Sequence, residues 1–158
     1  MLSKIEHQSI QTRQNWYRLD EQIRQSIVMM EPKWSEKEIE FDVDMMDVEY
    51  LGNENLICHV WDNLLSNAIK FSPCGGTIYI RMMPEGEKIR FSIENEGPQI
   101  SEYSMKHIFD KFYQGDSSHK QEGNGLGLAL VKQILNLCMG TVSVENIPGS
   151  GCRFTVIL

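Results

Sequence analysis

Three things are scarce in this sequence, and each scarcity removes a class of function. No apolar run approaches the roughly eighteen residues of a membrane-crossing helix, and no signal peptide is visible. No segment is dominated by lysine and arginine. With 15 basic against 22 acidic side chains the formal charge is −7, so neither a general nucleic-acid surface nor direct contact with an anionic membrane is expected. The four cysteines, Cys58, Cys74, Cys138 and Cys152, form no Cys-x-x-Cys pair. Neither a zinc site nor a disulfide framework has its usual spacing, and reduced thiols in a reducing compartment are expected. Cys58 and Cys138 lie in apolar helical surroundings and read as small core residues. Internal repeats and low-complexity tracts are also missing. What is present is ordinary globular material, 41% hydrophobic and 23% charged, enough for one domain with a real core.

Periodicity sets out the elements. Asp20 is placed to cap a helix carrying Ile23, Ile27, Val28 and Met30, with Pro32 near its end. Ile39, Phe41 and Val43 alternate, which predicts a half-buried strand over 38–44. Asn53 can cap a strong helix that Pro73 and Gly75-Gly76 end. Two strands follow, over 77–83 and 88–95, with a turn at Glu85-Gly86. Residues 96–124 are irregular apart from a short helix near 105–109. A second strong helix is expected over about 125–139, then strands over 141–146 and 152–158. The order predicts an α+β fold, a two-layer α/β sandwich in which a mixed, mostly antiparallel sheet packs on about three helices.

The central helix carries a polar stripe. Ile57, Trp61, Leu64, Leu65, Ala68 and Ile69 share one broad arc at 100° per residue. Asn63, Asn67 and Lys70 share a narrow arc on another side, stacked at i, i+4 and i+7. Such a stripe is commonly a solvated face. Its chemistry also suits a metal–phosphate site, because an asparagine carbonyl is a hard neutral ligand. Mg²⁺ takes few ligands from protein and fills its shell with water and phosphate oxygens. Lys70 would add a point charge for terminal phosphates.

Gly123-Asn124-Gly125-Leu126-Gly127-Leu128 stands directly before the second strong helix. Glycines allow close approach of backbone to phosphate, and a helix start offers unpaired N–H groups. A hinge with a cap would look the same. No Gly-Lys-Ser/Thr follows, so this is not a P-loop, and no early βαβ unit supports a dinucleotide fingerprint. Asn95-Glu96-Gly97-Pro98-Gln99-Ile100 ends a strand with a sharp bend. Ile108-Phe109-Asp110-Lys111-Phe112-Tyr113 would pack Phe109 and Phe112 inward and leave Lys111 in solvent.

Taken in order, these segments resemble the catalytic domain of sensor histidine kinases, in the GHKL superfamily with the Bergerat ATP-binding fold. Residues 62–72 look like its N box, 92–100 and 123–130 its two glycine boxes, and 108–113 its F box. Residues 149–151 look like the turn before its last strand. The similarity spans about 20–158, read as the catalytic ATP-binding domain. Residues 1–19 read as the tail of a dimerisation helix, with a linker or first strand. The resemblance implies that Asn67 with Asn63 would hold Mg²⁺, that Lys70 would touch the terminal phosphates, and that Phe71 would lie near the nucleotide. Gly97 and Ile100 would line the adenine pocket, with Thr155 beneath the base. Residues 114–124 would form a mobile lid, with Lys111 reaching across it and Phe112 beside the nucleotide. Gly123, Gly125 and Gly127, with Leu126 and Leu128, would cradle phosphate.

Asn95 stands where the family usually has an aspartate that accepts the adenine amino hydrogen. Its carbonyl can still accept, without charge assistance. Gln99 replaces a usual glycine. Glu94 and Glu96 should be turned away by strand alternation. None of His7, His59, His107 and His119 has the sequel of the family's phosphoacceptor. The resemblance therefore implies a piece of a longer protein, with Mg-ATP as cofactor and its own upstream dimerisation helices and a response regulator as partners. The piece would be a cytoplasmic domain of a membrane-anchored parent. The catalytic set would be Asn63, Lys70 and Lys111. A serine kinase of the anti-sigma-factor type, or a signalling module that no longer binds ATP, remain alternatives.

Overall fold

The computed structural model describes residues 14–113 and 126–158. The main sheet has five strands: β2 (Glu40–Met45), β4 (Thr77–Glu85), β5 (Lys88–Glu96), β6 (Thr141–Asn146) and β7 (Gly151–Ile157). Their order is β2-β4-β5-β7-β6. β2 and β4 run parallel, and every other pair is antiparallel. One face is covered by helices α1 (Leu19–Met29), α3 (Glu54–Phe71) and α5 (Gly127–Leu137), and a short helix, α4 (Glu102–His107), follows β5. This is the expected α+β sandwich with a mixed, mostly antiparallel sheet.

α3 is the centre of the helix layer, between α1 and α5. Its apolar arc is buried as its periodicity requires: Ile57, Trp61, Leu64, Leu65, Ala68 and Ile69 are all under 5% exposed. Each large side chain buried this way contributes about 1.5–3 kcal/mol. The Trp61 ring meets Phe91 of β5 at 4.7 Å between centroids. Trp61→Ala would therefore cost about 3–5 kcal/mol. Both ends of α3 are satisfied. The Asn53 side chain accepts from the Leu56 N–H at 3.2 Å. At the other end Lys37 Nζ donates to the carbonyls of Ile69 (2.7 Å) and Lys70 (3.1 Å), a cation placed on the negative pole of the helix.

Several elements differ from the sequence reading. Asp20 is no cap: it lies inside α1, fully buried. It accepts from Arg18, from Arg24 and from the Val48 N–H at 3.2 Å. Val28 is exposed rather than inward. Pro32 follows near the end of α1 as expected, and it sits in the first turn of a further helix, α2 (Glu31–Glu36), where a missing N–H costs nothing. β1 (Asn15–Arg18) agrees with a first strand within 1–19, but its partner β3 (Glu49–Gly52) was not expected; with Trp16 opposite Leu51 the two form a ribbon separate from the main sheet. All four cysteines are free thiols. Cys152 is buried, but Cys58 and Cys138 are only half-buried and Cys74 is exposed. Among the described residues no helix is long and apolar enough to cross a membrane.

Candidate functional site

The site is built along the polar face of α3 and closed on one side by the start of α5. Asn63 anchors it. Its Nδ2 donates to the His59 carbonyl at 2.7 Å. A carbonyl oxygen can only accept, so this bond fixes which way the amide points. Oδ1 is thereby presented to the first residue of α5: a Cβ on Gly127 would meet that oxygen at 2.7 Å. Only a glycine at the helix start lets Asn63 approach so closely. Asn63, Lys111, Leu126 and Gly127 line one cleft of about 320 Å³, with Gln133 at its side. A hard carbonyl oxygen, a lysine and the amino end of a helix are thus brought to one place, a donor set that fits a phosphate–Mg²⁺ group.

Asn67 lies one turn further along α3, half-buried. Lys70 follows, its Nζ 5.2 Å from the centre of the Phe71 ring. At the end of α3 the chain from β5 crosses close by. Gly97 has φ +136°, and a Cβ there would stand 2.5 Å from the Phe71 carbonyl oxygen. Backbone conformation and backbone contact together require glycine. Asn95 is 2% exposed. Its Nδ2 donates to the Glu96 carbonyl at 2.9 Å, and among the described residues its Oδ1 receives only a long contact from the Cys152 thiol at 3.8 Å. Acceptor capacity therefore remains on that oxygen. Burial pushes the Cys152 thiol up to about 11, so it stays protonated at neutral pH. Glu94 is held by Arg153 at 3.0 Å, and Glu96 accepts from the Thr77 N–H at 3.1 Å. Neither carboxylate substitutes for Asn95.

Some expected members fall elsewhere. Thr155 pairs with Ser92, on the sheet face shared with Arg153 and Tyr79. Asn95 pairs with Cys152 on the opposite, helix-covered face. Strand alternation therefore separates Thr155 from Asn95. Phe112, with φ +65°, is 68% exposed, while Phe109 packs edge-on against Phe154 at 6.2 Å. Leu128 packs against the core. Gly123, Gly125 and the lid at 114–124 lie outside the described residues, as do His7 and His119.

One positioning group was missed. Asn146, the last residue of β6, accepts from the Ile100 N–H and donates to the Ile100 carbonyl, both at 2.8 Å. Gln99 adds a bond to the Ile147 carbonyl at 2.9 Å. The bend after β5 is thereby stapled to the end of β6. An asparagine at a strand end gives no signal of such a partner until the strand order is known.

The family model of histidine kinase-, DNA gyrase B- and HSP90-like ATPases matches residues 52–158. The chain belongs to this family. Within it, the similarity is to histidine kinases. The heme sensor protein HssS of Staphylococcus saprophyticus is 34% identical over 122 residues, 77% of this chain and 26% of that protein. The sensor histidine kinase CusS of Escherichia coli is 36% identical over 114 residues, 71% of this chain and 24% of that protein. The chain thus spans about a quarter of the length of these relatives. The catalytic domain of histidine kinase ThkA superposes with a TM-score of 0.83 at 28% identity, over 92% of this chain and 95% of that one. ThkA has also been solved in complex with the response regulator protein TrrA. The family ATPase domain accounts for the sandwich, and the likeness to ThkA for its Bergerat form.

Proposed function

We propose that this domain binds Mg-ATP between α3 and the start of α5 and presents the γ-phosphoryl group to a histidine on a separate dimerisation element. The observation that carries this reading is the fixed amide of Asn63, whose Oδ1 faces the amino end of α5 with Lys111 in the same cleft. Asn63 and Asn67 would ligate Mg²⁺, which neutralises phosphate charge when bound. Lys70 and Lys111 would hold the terminal phosphates. Gly127 and Leu126 would bring backbone amides to them, together with Gly123 and Gly125. Asn95, Gly97, Ile100 and Phe71 would bound the adenine. Phe112 would have to turn inward from its exposed position to join them. The residues of the chain place and neutralise, which is most of what phosphoryl transfer asks of a protein. A response regulator would take the phosphoryl group onward, as the pairing of ThkA with TrrA suggests. The parent protein would be membrane-anchored with this domain in the cytoplasm.

Isothermal titration with a non-hydrolysable ATP analogue, with and without Mg²⁺, tests the binding. Mg-enhanced binding that Asn67→Ala weakens is expected. No binding at millimolar nucleotide would overturn the proposal. Transfer is tested by mixing the domain with its dimerisation helices. Acid-labile phosphohistidine is expected, and acid-stable phosphoserine on a partner would point to a serine kinase instead.

A further inference from the structure

We propose that Cys58, His59 and Asp62, in the stretch of α3 that leads up to Asn63, form a second metal site that takes a borderline transition-metal dication of the zinc class. Their sulfur, imidazole and carboxylate donor atoms all lie within 4.8 Å of one another. The three stand at i, i+1 and i+4 on one rigid helix, so no loop has to be ordered for them to converge. A tetrahedral ion with bonds of 2.0–2.3 Å needs donors about 3.5 Å apart. Small side-chain rotations close that gap, and His59 is exposed and able to make them. Cys58 is not part of the buried core that its apolar neighbours suggested; it is half-buried, beside His59 and Asp62.

The donor chemistry separates this site from the nucleotide's metal. Mg²⁺ seeks oxygen ligands in an octahedron, and a thiolate with an imidazole suits it poorly. The same set suits Zn²⁺ or Co²⁺, with water in the fourth position. Cys58 Sγ now donates to the Asn55 carbonyl at 3.2 Å. On binding, the thiol proton passes to solvent as the sulfur–metal bond forms. The site also touches the frame of the first one, because the His59 carbonyl holds Asn63 Nδ2.

Competition between the nucleotide-free chain and a chromophoric zinc chelator tests this. One Zn²⁺ per chain is expected, with affinity falling about tenfold or more in each of Cys58→Ser, His59→Ala and Asp62→Asn. Co²⁺ should give a thiolate charge-transfer band that is lost in Cys58→Ser and kept in Cys74→Ser, which removes the exposed cysteine. Should Cys58→Ser disturb folding, His59→Ala at an exposed position decides alone. Zinc affinity unchanged in His59→Ala, or a cobalt band that follows Cys74, overturns the proposal.

Discussion

The approach of Gly127 to Asn63 supports a prediction that separates site from fold. Gly127→Ala puts a methyl group 2.7 Å from Asn63 Oδ1, whereas ordinary contact begins near 3.4 Å. The obstacle is a side-chain oxygen, so it can retreat by several tenths of an ångström. The backbone of Gly127 is helical without a positive φ, and alanine is preferred to glycine there by up to about 1 kcal/mol. The variant should fold and melt at the same temperature or slightly higher. Asn63 has nowhere to go but away from the cleft, at the expense of its bond to His59. Displacements of this size at a ligating or positioning group typically reduce metal affinity or rate by about tenfold to a hundredfold. Titration with Mg²⁺ and a non-hydrolysable analogue, paired with a thermal melt, reads both quantities. Nucleotide affinity within twofold of the parent in a well-folded variant would refute the reasoning, since Asn63 could then move freely without consequence.

Other perturbations act on named contacts. Asn146→Ala removes both bonds to Ile100. At about 0.5–1.5 kcal/mol net per hydrogen bond, it should weaken adenosine-nucleotide binding several-fold, with Asn146→Asp intermediate because it can accept from Ile100 but not donate. Equal affinities in all three proteins would dismiss the staple. Gln22 joins α1 to α3 by accepting from Trp61 Nε1 at 2.7 Å and donating to the Glu54 carbonyl at 2.8 Å. Gln22→Leu leaves a buried indole N–H unpaired, a loss of about 1–3 kcal/mol that a urea melt would read. Asp20 is held well below the usual carboxylate range, chiefly by Arg18, with further bonds from Val48 and Arg24. Its folded pKa is lowered, so its stabilisation is present above the unfolded value of about 3.9 and is lost as pH falls through and below it. Asp20→Asn should lose about 2–3 kcal/mol at pH 7, the arginines being part-exposed and able to rehydrate, and its melting temperature should fall less than the parent's between pH 5 and pH 2. Parallel acid profiles would show that the Arg18 bond contributes nothing.

Local signals were legible where one residue decides the outcome. The Asn53 cap, the buried arc of α3 and the β4–β5 hairpin all depend on neighbours within one or two turns. The misread positions depend on distant ones. Asp20 has the chemistry of a cap, but its charge is used by Arg18, Arg24 and Val48, and the last is 28 residues away. Val28 fits the helical period, yet among the described residues its side of α1 is left exposed. β3 is four residues long, too short for periodicity to register. Thr155 and Cys152 differ by three positions on one strand, so a parity error alone moves a residue to the other face. Only the pairing of Asn95 with Cys152 fixes that parity.

The two ends of the candidate site differ in kind, and this bears on how its chemistry can be altered. At the end proposed to take adenine each constraint falls on the main chain: the backbone of Gly97 against the Phe71 carbonyl, the Asn146 side chain on both polar groups of Ile100, and the Asn95 side chain on the Glu96 carbonyl. Such contacts have no slack, because moving one shifts a strand end or a helix end. At the phosphate end they are side-chain contacts along α3 and an exposed lysine. There the Asn63 amide is held by its bond to the His59 carbonyl, and Lys111 is exposed. Base recognition should therefore respond chiefly to substitutions that release this main chain, as at Asn146, whereas metal and phosphate binding should respond to single side chains without loss of stability. It follows that His59, whose carbonyl holds Asn63 and whose exposed ring belongs to the proposed second metal site, is where a change outside the proposed nucleotide cleft should reach it.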